Sequence, residues 1–464
     1  MPDWKIKRQI LLAAAFLFAA SAVLMLYVIY LSTWKATELA EHPLNARSTA
    51  AQAEIVRGSI LASDGTVLAA TRSDGTRVYP LGMSAAFVTG YNGERIGGAG
   101  LEGYRNRELL GLTSDMSRLG PLTQLLQSDR GNDIVTTIDV NCQQAAYEAM
   151  EGRRGAAVVL DADTGAVLAM VSTPCYDPNS IEEKWEGLQN TEGSPLLNRV
   201  VQGLYPPGST IKPMIAATAL RDGVVTESDS FTCNGVLDLG GGYTIRDYDG
   251  EVHGKLDLEH ALAHSCNVVF GDIGLKLGGG KLGQAFEDFG FDQEIGGEIK
   301  MTRSHLPDFA ELGKGDLAQT AIGQSSLLVT PMHMALFASA FAHQGEIMEP
   351  FLVQKVVSPS GAVIEFNRPV KWRQVVAPEL ANQVNDFMET VVQSGTGTGA
   401  AVRGVRVTGK TGTAENASGA DHAWFIGTAE LSGRTVAFAV IVENGGSGGR
   451  TAAPIARKLI QSLM

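Results

Sequence analysis

Residues 205–214 read YPPGSTIKPM. Pro206 and Pro207 fix their own φ and Gly208 is free to turn, so the segment is a stiff corner that predicts a helix from Ser209 to about 221. Ser209 and Lys212 then stand at i and i+3, sharing one helix face about one turn apart. An amine there can reach the hydroxyl, and a lysine desolvated in a cleft loses its proton more easily and can accept the serine's. The helix N-terminus adds unpaired N–H groups and a positive dipole end where an oxyanion could form. Alone, Ser-x-x-Lys fits an N-capped surface helix equally well.

Two further stretches change that balance. AHSCNVVF (263–270) carries Ser265-Cys266-Asn267 at the start of an apolar run, and RVTGKTGTAE (406–415) carries Lys410-Thr411-Gly412-Thr413 on a strand-like segment. Between and around these, helical patterns fall at about 209–221, 257–275, 317–342 and 378–394, with strand patterns at 403–411, 421–431 and 434–443. GAAVVLDADTGAVLAMVS (155–172) reads as two strands joined at Asp163-Thr164-Gly165, with Asp161 and Asp163 serving the turn. DIVTTIDV (133–140) reads as a strand, followed by a helical stretch ending at Gly152. Strands at both ends with helices between predict an α/β (α+β) domain over 141–464 whose sheet is completed by the C-terminal segment. Residues 35–140, with turn signals at Asp64-Gly65, Asp74-Gly75 and Asn92-Gly93, predict a separate β-rich domain.

Residues 1–34 are of another kind. LLAAAFLFAASAVLMLYVIYL (11–31) carries no charge. It is long enough for the ~30 Å hydrocarbon layer and longer than the ~7 to 15 apolar residues of a cleavable signal. Lys5, Lys7 and Arg8 precede it, so the N-terminus is expected in the cytoplasm and the bulk of the chain outside.

The three short motifs in this order are the signature set of penicillin-binding proteins and serine β-lactamases. The sequence resembles a class B penicillin-binding protein, the monofunctional transpeptidase type. The anchor followed by His42-Pro43-Leu44-Asn45-Ala46-Arg47 and Arg57-Gly58-Ser59-Ile60 looks like the opening of the class B pedestal. TAIGQSSLLVTPMHMA (320–335) and HAWFIG (422–427) look like transpeptidase segments. No room is seen for a glycosyltransferase domain, and no C-terminal repeat modules are expected after the Lys410 motif.

The resemblance implies roles. Ser209 would attack the carbonyl between two terminal D-alanines of a peptidoglycan stem peptide, on a lipid-linked precursor or nascent glycan, with Lys212 as base. Ser265 would relay a proton to the leaving amine and Asn267 bind the substrate amide. Lys410 would add positive potential, Thr411 and Thr413 hold the terminal carboxylate, and Gly412 let substrate lie close to the strand. The backbone N–H groups of Ser209 and Thr413 would form the oxyanion hole. β-Lactam antibiotics would acylate the same serine, and a multi-spanning membrane glycosyltransferase is the implied partner.

Composition bounds the rest. The 464 residues carry a net charge of −13, and with the first 34 residues at +2 the remainder carries −15, so no nucleic-acid partner is expected. Cys142, Cys175, Cys233 and Cys266 show no CxxC spacing, which leaves no disulfide, zinc ribbon or redox pair to assign. His260 and His264 stand four apart, but Ala261 fills the glutamate position of HExxH and no third ligand is evident. They read as solvated histidines, Cys266 as a buried thiol, and no metal or cofactor is expected. Trp424 and Phe425 read as strand core, and ENGGSGGR (443–450) as a mobile surface loop. Three alternatives stay open: a β-lactamase, whose E-x-x-L-N string occurs only at Glu41–Asn45 far upstream, a D,D-carboxypeptidase, and a non-catalytic penicillin-binding scaffold or sensor.

Overall fold

The uncharged run folds as one helix, α1 (Asp3–Thr33), with large side chains such as Phe16, Phe18 and Leu24 exposed. The computed structural model describes residues 3–33, 35, 55–112, 129–296, 299–416 and 419–464; the His42–Arg47 segment and the Glu41–Asn45 string lie outside them. Lys7–Leu31, at 25 residues, is the one stretch among the described residues long and apolar enough to cross a membrane. At 1.5 Å per residue it reaches about 37 Å, and no protein covers it, so lipid is the solvent its side chains suit.

Between residues 55 and 112 the strands are short because turns interrupt them. Ile60–Leu61, Val67–Thr71 and Arg77–Val78 run antiparallel, and Asp64 and Asp74 close the turns by accepting from Thr66 N and Thr76 N, each at 2.9 Å. Asp133–Thr136 joins parallel to Ile60–Leu61. Two strands from far along the chain, Val353–Val357 and Val363–Phe366, complete this six-stranded sheet. A division of the sequence at 140 therefore does not partition the sheets.

Under this sheet Glu102 is completely buried and bridges Arg57 Nε at 2.6 Å and Arg77 Nε at 2.7 Å. Glu102→Ala would leave two desolvated guanidinium groups without a counter-charge, and losing one partner of a buried pair costs ~3–5 kcal/mol. The expected result is an earlier thermal transition of the full chain; an unchanged Tm would contradict it.

The second sheet takes its order from both ends of the chain. β1 (Gly155–Asp161), β2 (Val167–Thr173), β3 (Arg406–Ala414), β4 (His422–Leu431) and β5 (Arg434–Val442) stack as β3-β4-β5-β1-β2, antiparallel throughout. The strands read as near-continuous apolar runs because both faces are covered. Ala156, Val158 and Leu160 join one hydrophobic cluster, and Ala157 and Val159 the other.

The relevant helices are α2 (Val140–Met150), α3 (Lys212–Arg221), α4 (Asn267–Asp288), α5 (Pro331–Ala342), α6 (Pro378–Gln393) and α7 (Gly448–Ser462). α2 and α7 contribute to the second cluster, α5 to the first. Two helices expected to be continuous are broken. The 257–275 pattern splits into Leu258–Ala263 and α4, because Ser265 sits at φ +58° and Cys266 caps the next helix. The 317–342 pattern splits into Lys314–Ala321 and α5, which starts at Pro331 behind a Thr330 cap. Trp424 and Phe425 are fully buried on β4. Asp161 Oδ1 accepts from Thr164 N at 3.0 Å, closing the β1–β2 turn.

Candidate active site

Ser209 lies on a tight 3-10 turn, Gly208–Ile211, that leads into α3. The corner before it is pinned from several sides. Tyr205 exchanges backbone hydrogen bonds with Val329 at 3.0 and 2.9 Å, and Gly208 N donates to Gly323 O at 2.8 Å. Trp424 Nε1 donates to Pro206 O at 3.0 Å and Thr210 Oγ1 to Pro207 O at 2.7 Å. Gly323 has φ +80°, and a Cβ there would stand 1.9 Å from Gly208 O, so only glycine lets the 322–330 loop close on the turn. Ser209 is half-buried and its hydroxyl makes no hydrogen bond to the described residues.

Lys212 is fully buried. Its amine donates to Ser265 O at 2.6 Å, Asn267 Oδ1 at 2.8 Å and Ser265 Oγ at 3.3 Å. Burial drives the ammonium down to about 7, with Cys266 and Asp247 opposing the fall. The Ser209–Lys212 hydrogen bond expected from the i, i+3 spacing is not formed, because the second motif occupies the amine. Hydrogen bonds of this kind often tighten only with substrate present. The contact depends on Ser265 holding a left-handed backbone conformation, which costs ~1–3 kcal/mol and collects at functional sites.

β3 is the free edge of its sheet and lies against the nucleophile turn. At Gly412 a Cβ would come within 2.8 Å of Thr210 Cγ2 and 2.9 Å of Pro207 O, so a side chain there would push strand and turn apart. Lys410 is fully buried and reaches Ser265 Oγ at 2.8 Å and its neighbour's carbonyl, Thr411 O, at 3.0 Å. Burial first, and the nearby Lys212 charge second, hold it well below the usual ammonium range. Thr411 Oγ1 pairs with Thr396 Oγ1 at 2.6 Å, while Thr413 is half-buried two positions on, on the same strand face. Thus Lys212, Ser265, Asn267 and Lys410 meet in one hydrogen-bonded set, with Ser209, Gly412 and Thr413 on the adjoining turn and strand. The sequence singles out neither Thr396 nor Gly323; for Gly323 the signal is the 320–335 stretch as a whole, and for Thr396 there is none.

His260 and His264 do not approach each other as ligands: His260 Nδ1 bonds Asp257 Oδ1 at 2.7 Å and His264 stacks on His253 at 5.7 Å. The 443–450 stretch is not the free loop expected. Glu443 takes Arg199 Nε at 2.7 Å, Tyr205 OH at 2.9 Å and Arg154 Nε at 3.1 Å, and α7 begins at Gly448. Arg199 is 1% exposed, so Glu443→Ala would strand its charge and untie Tyr205 from the corner. That variant is expected to lose ~3–5 kcal/mol of stability and to slow any reaction at Ser209. Tm and the acylation rate measured together check it, and an unchanged pair of values would refute the coupling.

Two family models cover most of the chain. Residues 155–461 match the penicillin binding protein transpeptidase domain and residues 57–133 the penicillin binding protein A dimerisation domain. The peptidoglycan D,D-transpeptidase PbpA of Mycolicibacterium smegmatis is 33% identical, over 96% of this chain and 98% of that protein. Among solved structures, the D,D-transpeptidase domain of a peptidoglycan glycosyltransferase from Eggerthella lenta aligns with TM-score 0.80 at 34% identity, covering 89% of this chain and 98% of that one. The ceftriaxone acyl-enzyme complex of penicillin-binding protein A from M. tuberculosis aligns with TM-score 0.82 at 31% identity, covering 89% and 99%. With the motif residues of three separate segments brought together, and family models matching residues 57–133 and 155–461, this chain belongs to the class B penicillin-binding proteins.

Proposed function

We propose that the chain is a serine D,D-transpeptidase that cross-links peptidoglycan stem peptides through an acyl-enzyme and is acylated at the same serine by β-lactams. The observation that carries this reading is the meeting of two buried amines, Lys212 and Lys410, at one hydroxyl, Ser265 Oγ, at 3.3 and 2.8 Å. A scaffold has no use for two desolvated lysines beside an unbonded serine, whereas a proton relay needs them.

The chemistry follows in two halves. Lys212, neutral above pH about 7, takes the Ser209 proton as Oγ attacks the penultimate D-alanine carbonyl. The oxyanion is met by the N–H groups of Ser209 and Thr413, each such donor being worth ~3–4 kcal/mol. Collapse breaks the peptide bond, and the leaving amine takes its proton through Ser265. Lys410, Thr411 and Thr413 hold the terminal carboxylate, whose charge favours the protonated form of Lys410 on binding. Asn267 binds the donor amide. The amine of a second stem peptide then attacks the ester, yielding the cross-link and restoring the Ser209 proton. No outside energy source is needed, since one peptide bond is exchanged for another.

In this reading α1 anchors the protein with its N-terminus in the cytoplasm, residues 35–140 form the pedestal, 141–464 the catalytic domain, and a multi-spanning glycosyltransferase supplies nascent glycan. The test uses the full chain in detergent. Fluorescent penicillin is expected to give a long-lived adduct on the Ser209 peptide. A donor stem peptide with an acceptor amine should release D-alanine and form the cross-linked dimer. Rapid turnover of the adduct would make it a β-lactamase, water-only product a carboxypeptidase, and no adduct a scaffold.

A further inference from the structure

Thr411 of the third motif is only 6% exposed, and its hydroxyl lies 2.6 Å from a hydroxyl outside all three motifs, that of Thr396. Thr396 comes from the turn that ends α6. Gly395 N donates to Thr390 O at 3.1 Å and Gly397 N to Val391 O at 2.9 Å, so the chain folds back over the helix end. Thr396 N itself donates to Ala263 O at 3.1 Å, two residues before Ser265. One residue is thus tied by its backbone to the segment of the second motif and by its side chain to the strand of the third. Unlike Thr411 it is exposed, so the pair meets solvent through Thr396.

Proton counting defines what such a pair can do. Each hydroxyl carries one proton and two lone pairs. One proton lies between the two oxygens, the second is free, and neither oxygen has another partner among the described residues. The two threonines therefore offer one outward O–H between them. A carboxylate only accepts, and a charged acceptor makes a hydrogen bond roughly twice as strong as a neutral one, so the pair favours an acid end over an amide. The neighbours lean the same way. The Lys410 amine donates to Thr411 O at 3.0 Å, and Thr413, two positions along the same strand face, adds a third hydroxyl.

We propose that Thr396 touches the terminal carboxylate of the donor peptide, as the exposed half of a two-threonine donor whose inner half is Thr411, and that it sets the preference for a free-acid C-terminus. The inference rests on the transpeptidase reading and adds to it a residue from a fourth segment. With the carboxylate bound, Thr411 Oγ1 donates to Thr396 Oγ1 and the Thr396 O–H donates to the substrate. The inner bond polarises the outer one, which makes the pair a better donor than a lone hydroxyl. The tie to Ala263 keeps this contact in register with Ser265.

The full chain in detergent is assayed with a stem peptide ending in D-alanyl-D-alanine as the free acid and with the same peptide as its carboxamide, each read as the second-order rate of Ser209 acylation. Wild type should favour the acid. Thr396→Val, which keeps the branched shape and removes the hydroxyl, should cut the acid rate ~10–100-fold, through KM more than kcat, and leave the carboxamide rate within about twofold. Thr396→Ser should restore most of the acid rate. Thr411→Val should cost about as much as Thr396→Val, and the double variant little more, because the pair works as one donor. Thr396→Ala must give the same split and stands in for a valine variant that does not fold. A loss shared equally by acid and carboxamide, an undiminished acid preference, or no rescue by serine would overturn the proposal. A wild-type chain that reacts with neither peptide nor penicillin ends the transpeptidase reading and this one with it. A reactive wild type beside an indifferent Thr396→Val ends this one alone.

Discussion

Ser209→Ala is expected to abolish covalent labelling by penicillin and to cut D-alanine release from a stem peptide by about six orders of magnitude, the scale seen when a hydrolase loses its serine nucleophile. The adduct cannot form at all, because the ester oxygen is the one removed. Residual release would come from binding and the oxyanion donors, which no longer have an attacking atom to work with. Stability supplies the control. Ser209 is half-buried and its hydroxyl bonds nothing among the described residues, so its removal leaves no orphaned partner, and the stability read from thermal unfolding should change by no more than the ~0.5 kcal/mol typical of neutral sites. A folded Ser209→Ala chain that still forms an adduct would move the nucleophile elsewhere and end the reading of the 205–214 corner.

How much of this was legible before the fold was seen depended on whether the signal was local. The 205–214 corner, the β1–β2 turn and α1 each declare themselves through prolines, turn residues or uncharged length, and each is where it was expected. What failed was non-local. Val353–Val357 and Val363–Phe366 belong to a sheet begun near residue 60, and no spacing announces that Val353–Val357 pairs with Asp133–Thr136, from Val353↔Thr136 to Val357↔Asp133. The break at Ser265 escaped because a serine at positive φ looks, in sequence, like any helix residue. Glu443 sat in a glycine-rich stretch whose composition suggested a loop, while its bonds to Arg199 and Tyr205 are made by folding alone. The same holds for Cys233 and Cys266, which stand far apart in sequence yet both meet Asp247 Oδ2, at 2.8 and 3.4 Å.

Lys212→Met carries the second large effect. The thioether matches the lysine stem in length, so the fully buried site keeps its packing, but the proton acceptor is gone. General-base removal costs ~10²- to 10⁴-fold, read as the second-order rate of acylation by penicillin. The pH profile makes the assignment specific. Burial lowers the folded-state ammonium from 10.5 to about 7. Below that value the amine is protonated and cannot take the Ser209 proton; above it the neutral form dominates. Wild-type acylation should therefore climb about tenfold per pH unit on the acid side and level off above neutrality. In Lys212→Met that rising limb should vanish together with the rate. If the slow variant instead keeps the limb, the titrating base is another group, and Lys410, which shares the Ser265 hydroxyl at 2.8 Å, becomes the residue to replace next.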